Sequence, residues 1–262
     1  MARRTPDAVH VPPVQRLRLQ YAKRGRLRFS SHRDFARAFE RALRRAEVPM
    51  AYSAGFHPHP KISYVGAAPT GVASEAEYLE IALAESRDPA EVARAIDAVL
   101  PEGLDIIRAV DVADCGPRSL ADQIEASVWQ LEIAGDAATL TEAVRLFLGA
   151  EQVLVDRLTK DGKREIDARA AVSSIELSIT EPPADTPAAV SGQGATADRA
   201  IMTMVVRQLT PTVRPDDVLA ALRSVAGFAP SEPVRATRLA QGPADGTAGV
   251  ADPLRRTESS AG

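Results

Sequence analysis

A single cysteine, Cys115, in 262 residues is the sharpest deficit of this chain. It leaves no partner for an internal disulfide, which suits a reducing compartment. It also excludes an iron–sulfur cluster held by this chain alone, since such clusters take about four thiolates. A zinc ribbon, with its four sulfur or nitrogen ligands, is excluded in the same way. Long apolar runs are missing too. No segment approaches the ~18 apolar residues that a membrane helix needs. The opening "MARRTPDAVHVPPV" carries charge with no apolar stretch behind it, so no signal peptide is read there. The expectation is a cytoplasmic protein without membrane contact. Aromatics make up only 4% of the chain, and eight of the 11 fall before position 79.

What the chain has is a charge asymmetry hidden by a net charge of −3. Residues 1–61 hold 14 Lys/Arg against 4 Asp/Glu, and residues 62–262 hold 18 against 31. A basic block inside an acidic protein localises a field, which says more than an overall pI.

Hydrophobic periodicity predicts an α+β protein of two ferredoxin-like (split βαβ) units in tandem with a disordered C-terminal tail. Residues 1–13 read as a flexible N-terminus and 14–113 as the first unit. "VQRLRLQYA" alternates as a half-buried strand, with Leu17, Leu19 and Tyr21 inward and Arg16, Arg18 and Gln20 outward. "KRGR" is a turn, and "LRFS" a short extended piece. Ser30 or Ser31 then caps a helix to about Glu47, with Phe35, Phe39, Ala42, Leu43 and Ala46 as its apolar stripe. Strands are predicted at "MAYS", "KISYV", "EAEYLEIAL" and "GLDIIRAVDV", and a helix at "DPAEVARAIDAVL" opens on Asp88 and Pro89. Residues 114–125 are a connector with a short helical turn. The second unit is expected over 126–238, with a hairpin at "KDGK" and a disordered insert at 181–199. Residues 239–262 complete the reading as a disordered tail.

The chemistry concentrates in the basic block. At 100° per residue, Arg33, Arg37, Arg41 and Arg44 cluster opposite Phe35 and Phe39, either as a solvated polar face or as a row of phosphate contacts. Arg16 and Arg18 on the strand, Lys23, Arg24 and Arg26 in the turn, and Lys61 extend the cationic set. A basic surface shared by strand, turn and helix favours polyanion binding, with RNA (tRNA or rRNA) the leading ligand. No RRM-type aromatic RNP pattern is present. Phe56 and Tyr64 flank "HPHPK" and either anchor that loop or stack on unpaired bases. His57 and His59 lack an evident third ligand in a cationic setting, so no metal site is assigned. Pro58 and Pro60 stiffen the loop, holding out two imidazoles and Lys61 as donors. Glu75, Glu77 and Glu80 read as mainly solvated, with Glu77 a weak pairing candidate for the basic helix. Acid–base candidates, should the chain be an enzyme, are His32, His59 and Asp167. Asp167 and Arg169 also suit a structural ion pair or turn.

The stretch "RLRFSSHRDFARAFERALRRAEVPMAYSAGFHPHPKISYVGAAPTGVASEAEYLEI", with "KDGKREIDAR" at 160–169, resembles the bacterial radical SAM-linked protein family, a domain of unknown function. The resemblance covers roughly residues 14–230. It implies a partner radical SAM protein encoded beside or fused to such a domain. Lacking the three-cysteine motif, this chain would be the accessory subunit, without a cofactor of its own. The motif positions matched are Ser31, His32, Asp34, Gly55, Phe56, Pro58, His59, Pro60, Lys61, Glu75, Glu77, Asp167 and Arg169. The leading expectation is thus an RNA-binding or substrate-presenting subunit. The alternatives are an RNA-modifying enzyme and a protein-assembly module whose basic face meets an acidic partner.

Overall fold

The computed structural model describes residues 12–54, 56–159, 162–180, 198–246 and 249–255. The chain is α+β and divides into two compact units, Met1–Gln123 with Pro253–Gly262, and Ile124–Asp252.

Unit 1 runs β1 (Gln15–Lys23), α1 (His32–Arg45), β2 (Ile62–Val65), β3 (Ala73–Leu83), α2 (Pro89–Asp97), β4 (Leu104–Asp111) and the short α3 (Leu120–Gln123). Its strands lie in the order β4-β1-β3-β2, and every neighbouring pair is antiparallel. The alternation of β1 survives: Leu17 and Leu19 are fully buried and face Ile81 and Leu79 of β3. Phe35 and Phe39 of α1 and Val92 and Ile96 of α2 complete this core on one face of the sheet. Asp88 caps α2 by accepting from the Ala90 amide at 2.9 Å, as the Asp-Pro pair predicts.

The opposite face of β1 departs from the half-buried expectation. Arg18 is 2% exposed and donates to the Arg118 carbonyl at 2.8 Å. Two local readings also change. "LRFS" lies largely in a 3-10 turn over Gly25–Phe29, because Gly25 at φ +53° reverses the chain and Ser30 closes back on Leu27. "MAYS" forms single bridges, Met50 to Leu83 and Tyr52 to Pro60, and no full strand. In β4, Gln20 pairs with Arg108 and Tyr21 with Ile106, so Ile107 is an extra, bulged residue.

Unit 2 runs β5 (Ala126–Gly135), α4 (Ala137–Gly149), β6 (Leu154–Thr159), β7 (Gly162–Asp167), α5 (Ala168–Ala171), β8 (Val172–Thr180), β9 (Asp198–Arg207), α6 (Pro215–Ala226) and β10 (Arg235–Gly242), then the short pair β11 (Ala244–Asp245) and β12 (Gly249–Val250). Its main strands lie in the order β10-β5-β9-β8, with the neighbouring pairs antiparallel. The "KDGK" hairpin is β6–β7, a separate ribbon inserted between α4 and β8. Arg157 fixes it by donating to Asp217 through two nitrogens, one at 3.0 Å, and to the Thr212 carbonyl at 2.8 Å. Ser173 is skipped in the β8–β9 register, a second bulge on an outer strand.

The expected tail begins later than composition suggests. Residues 235–242 are β10, and the chain returns to unit 1 at Pro253, where Leu254 is 1% exposed. Most of the predicted insert, 181–197, and the last residues, 256–262, lie outside the described residues.

Gly103 marks a close backbone approach. Its φ is +90°, and a Cβ there would sit 2.9 Å from the Arg24 carbonyl oxygen. Gly103→Ala should therefore lower stability by more than about 1 kcal/mol. Gly149→Ala, with no atom beyond its own helical turn within 4 Å of the new carbon, should not. Urea midpoints of the two variants check this; equal values would contradict it.

Candidate nucleic-acid interface

Helix α1 is built from its N-cap. Ser31 accepts from the Asp34 amide at 3.2 Å, and its hydroxyl donates to the Asp34 carboxylate at 2.7 Å. This exchange, first, and then the nearby Arg37 and Arg33 hold the Asp34 carboxyl below the usual carboxylate range. The apolar stripe fixes the helix's rotation. Phe35 stacks on Tyr21 with centroids 4.4 Å apart and planes 4° from parallel, and also touches Phe39 at 5.7 Å and Tyr64 at 5.8 Å. Arg33, Arg37, Arg41 and Arg44 must then point outward, and all four are exposed, as is Arg45. None of the four has an ion-pair partner among the described residues.

The other predicted cations divide differently. Arg16 and Arg18 share Glu80, each at 3.4 Å. Arg18 is buried, so only Arg16 of the pair faces solvent. Arg24 bridges two carboxylates, donating to Glu75 at 2.8 Å and to Asp105 at 2.7 Å. The Glu75 hydrogen bond above all, with Asp105 behind it, raises its pKa further. Arg26 is exposed, but the groove of about 610 Å³ that it shares with Arg24 also holds Glu102 and Asp105. The turn is therefore largely compensated, and the uncompensated charge is that of the helix.

Lys23 and Glu77 are internal, against the solvated reading of Glu77. They are 5% and 2% exposed. Lys23 donates to the Ala68 and Pro69 carbonyls, both at 3.3 Å, and Glu77 accepts from the Ala68 amide at 3.0 Å. Together they fasten the loop between β2 and β3 beside the start of α1. His32 lies at the same place, its ring edge-on to Tyr64 at 4.8 Å. It borders a space of about 10 Å³, no larger than one water, shared with Ser31, Lys23 and Glu77. His32 itself is exposed at the edge of this space.

At the N-terminal end of α1, Arg28 stacks over the Phe29 ring at 4.7 Å, and Phe29 is 59% exposed. Beyond the C-terminal end, the histidine segment is a tight hairpin. The Ser53 amide donates to the His59 carbonyl at 2.9 Å, the His59 amide to the Ser53 hydroxyl at 3.0 Å, and the Lys61 amide to the Ala51 carbonyl at 2.9 Å. Phe56 stands at its tip, 90% exposed, edge-on to His57 at 5.3 Å. His57 and His59 are exposed and Lys61 half-buried. Phe56 thus does not anchor the hairpin to the body of unit 1. No group of three or more metal-ligating side chains gathers among the described residues.

Asp167 belongs to unit 2, whereas the histidines at 32, 57 and 59 belong to unit 1, and one oxygen of its carboxylate serves local structure. It accepts from the Arg169 amide at 3.0 Å, the Ala170 amide at 3.3 Å and the Val153 amide at 3.2 Å, capping α5 and closing the base of the β6–β7 ribbon. Arg169 donates to the Val172 carbonyl at 2.8 Å and the Leu148 carbonyl at 3.3 Å. Both residues of "EIDAR" thus hold local structure, without an ion pair between them.

The family model for uncharacterized proteins conserved in bacteria, DUF2344, matches residues 16–215. The chain belongs to that family. The description carries no link to a radical SAM enzyme, and the curated proteins contain no match to this chain. Among the described residues, no helix is long and apolar enough to cross a membrane.

Two tests follow from this geometry. Glu77→Ala leaves the Ala68 amide buried without its acceptor, at a cost of about 1–3 kcal/mol, and amide exchange should accelerate in residues 66–72. Unchanged protection there would show that the carboxylate does not hold the loop. Ser31→Ala should cost about 1 kcal/mol at neutral pH. The depressed Asp34 value stabilises the fold above the ordinary Asp range of ~3.9, and the effect is lost as pH falls through the lower folded value. The gap between variant and wild type should therefore narrow on acidification. A gap independent of pH would contradict the assignment.

Proposed function

We propose that this protein is a non-catalytic RNA-binding subunit that presents RNA to a partner radical SAM enzyme. The observation that carries the RNA part is the outer face of α1, where four exposed arginines form no salt bridge among the described residues. A helix face of this kind offers evenly spaced guanidiniums, which suit phosphate oxygens better than isolated surface lysines do. The exposed Phe56 and the imidazoles of His57 and His59 add groups that meet a base or a phosphate.

The accessory role rests on the resemblance of residues 14–230 to the radical SAM-linked family and on the single cysteine, which leaves cluster chemistry to a partner. The structural hydrogen bonds of Asp167 and the edge-on packing of His32 on Tyr64 favour a binding role over acid–base catalysis. The reading of both units as ferredoxin-like is supported by their strand orders, last-first-third-second in each, with β6, β7 and α5 inserted in the second.

Binding to tRNA or rRNA should weaken steeply with salt, with a log–log slope of about −0.7 per phosphate neutralised on single strands. Arg37→Glu with Arg41→Glu should abolish it while leaving the thermal midpoint nearly unchanged. Fluorescence anisotropy against total tRNA and rRNA, beside a melting curve, measures both. RNA affinity untouched by the double change would overturn the proposal. Nucleoside profiling by mass spectrometry tests the partner: a modified product formed by this chain alone would identify it as the enzyme.

A further inference from the structure

We infer that the ligand of the α1 face is a single-stranded segment, held by stacking at both ends and by phosphate contacts between. This deepens the RNA reading above and rests on it. The inference comes from what brackets the arginines. Phe29, stacked by Arg28, stands just before the helix, and Phe56, edge-on to His57, stands on the hairpin beyond it. Of the described aromatic side chains in unit 1, Phe56 is exposed at 90% and Phe29 at 59%. Both rings lie next to a cationic or imidazole group, in the part of the chain with the greatest positive surplus.

Single exposed apolar side chains are common on protein surfaces, but a solvent-exposed phenylalanine ring beside cationic groups offers a flat face on which a base can stack. A base is free to do so only when it is unpaired, because a duplex keeps its base faces covered by its own stacking. A duplex would satisfy the arginines and leave both rings without a partner. An unpaired strand satisfies both sets. The hairpin suits such a role because its backbone is cross-bonded at Ser53, His59 and Lys61, so the Phe56 tip stands on a braced base. Helix α1, at 14 residues, is roughly 21 Å long. At about 3.4 Å per stacked nucleotide, that matches roughly six nucleotides.

The test uses the full chain with oligouridylates of four, eight and twelve nucleotides, a twelve-base-pair RNA duplex, and poly-glutamate as an acidic polypeptide. The eight-mer should bind at least tenfold tighter than the four-mer, with little further gain at twelve, and the duplex should bind more weakly than the eight-mer. Phe29→Ala and Phe56→Ala should each weaken the eight-mer by about 5- to 150-fold, the equivalent of one base stack. The salt slope should stay as in wild type, because no phosphate contact is removed. Circular dichroism verifies that these exposed substitutions leave the fold intact.

If both phenylalanine variants bind like wild type while the arginine reversal abolishes binding, the stacking inference fails and the RNA reading stands. Equal affinity for duplex and single strand likewise overturns the inference alone. If no oligonucleotide binds and poly-glutamate does, the face belongs to an acidic protein partner, and both fall.

Discussion

The packing of Phe35 is the constraint on which the functional surface of unit 1 depends. It contacts Tyr21 from β1, Phe39 from its own helix and Tyr64 from β2, so one ring ties three elements together. Once that ring is seated, the rotation of α1 about its axis is fixed. The arginines at 33, 37, 41 and 44 then have no choice of direction. The stripe that closes the core and the row that faces solvent are two consequences of one helical period. A side chain that loosened the aromatic cluster would blur the outward row as well, without touching a single guanidinium.

The basic block divides into structural and uncommitted charge. Arg18 and Lys23 are buried, and Arg24 lies between Glu75 and Asp105. These cations organise the sheet and its loops through backbone carbonyls and carboxylates, and they contribute little field beyond the surface. What remains is narrower than the raw count of lysines and arginines suggests, and better placed. It lies on one helix, with an exposed ring before it and another after it in the chain. For recognition, a small number of fixed charges on a preorganised element is worth more than a larger diffuse set.

Much of this was legible before any coordinates. The amphipathic period of α1, the Asp-Pro start of α2 and the "KDGK" hairpin all carry strong local signals, and each forms where its residues place it. Lys23 and Glu77 were legible in principle. Lys23 continues the inward parity of Leu17, Leu19 and Tyr21, and Glu77 that of Leu79, Ile81 and Leu83. Treating charge as a sign of exposure hid what the alternation already stated. β10 was harder. "RATRLAQG" has few apolar side chains, yet Arg238 is 4% and Gln241 1% exposed, and Arg238 lies over Trp129 at 5.4 Å. Composition judges such a segment as solvated, whereas its burial depends on a strand more than a hundred residues earlier. Phe29 was missed as a surface group because its exposure follows from the turn at Gly25, which reorients a segment that alternation alone reads as extended.

The extra residue on β4, Ile107, and its counterpart on β8, Ser173, sit on outer strands. An unbroken rim of amide and carbonyl groups would invite another molecule to zip alongside and start a linear array. The offset at each of these two places throws the donor spacing out of step, so a newcomer's ladder would stall after a few rungs. A chain that keeps strands at its borders thereby gains a built-in guard against fibre growth.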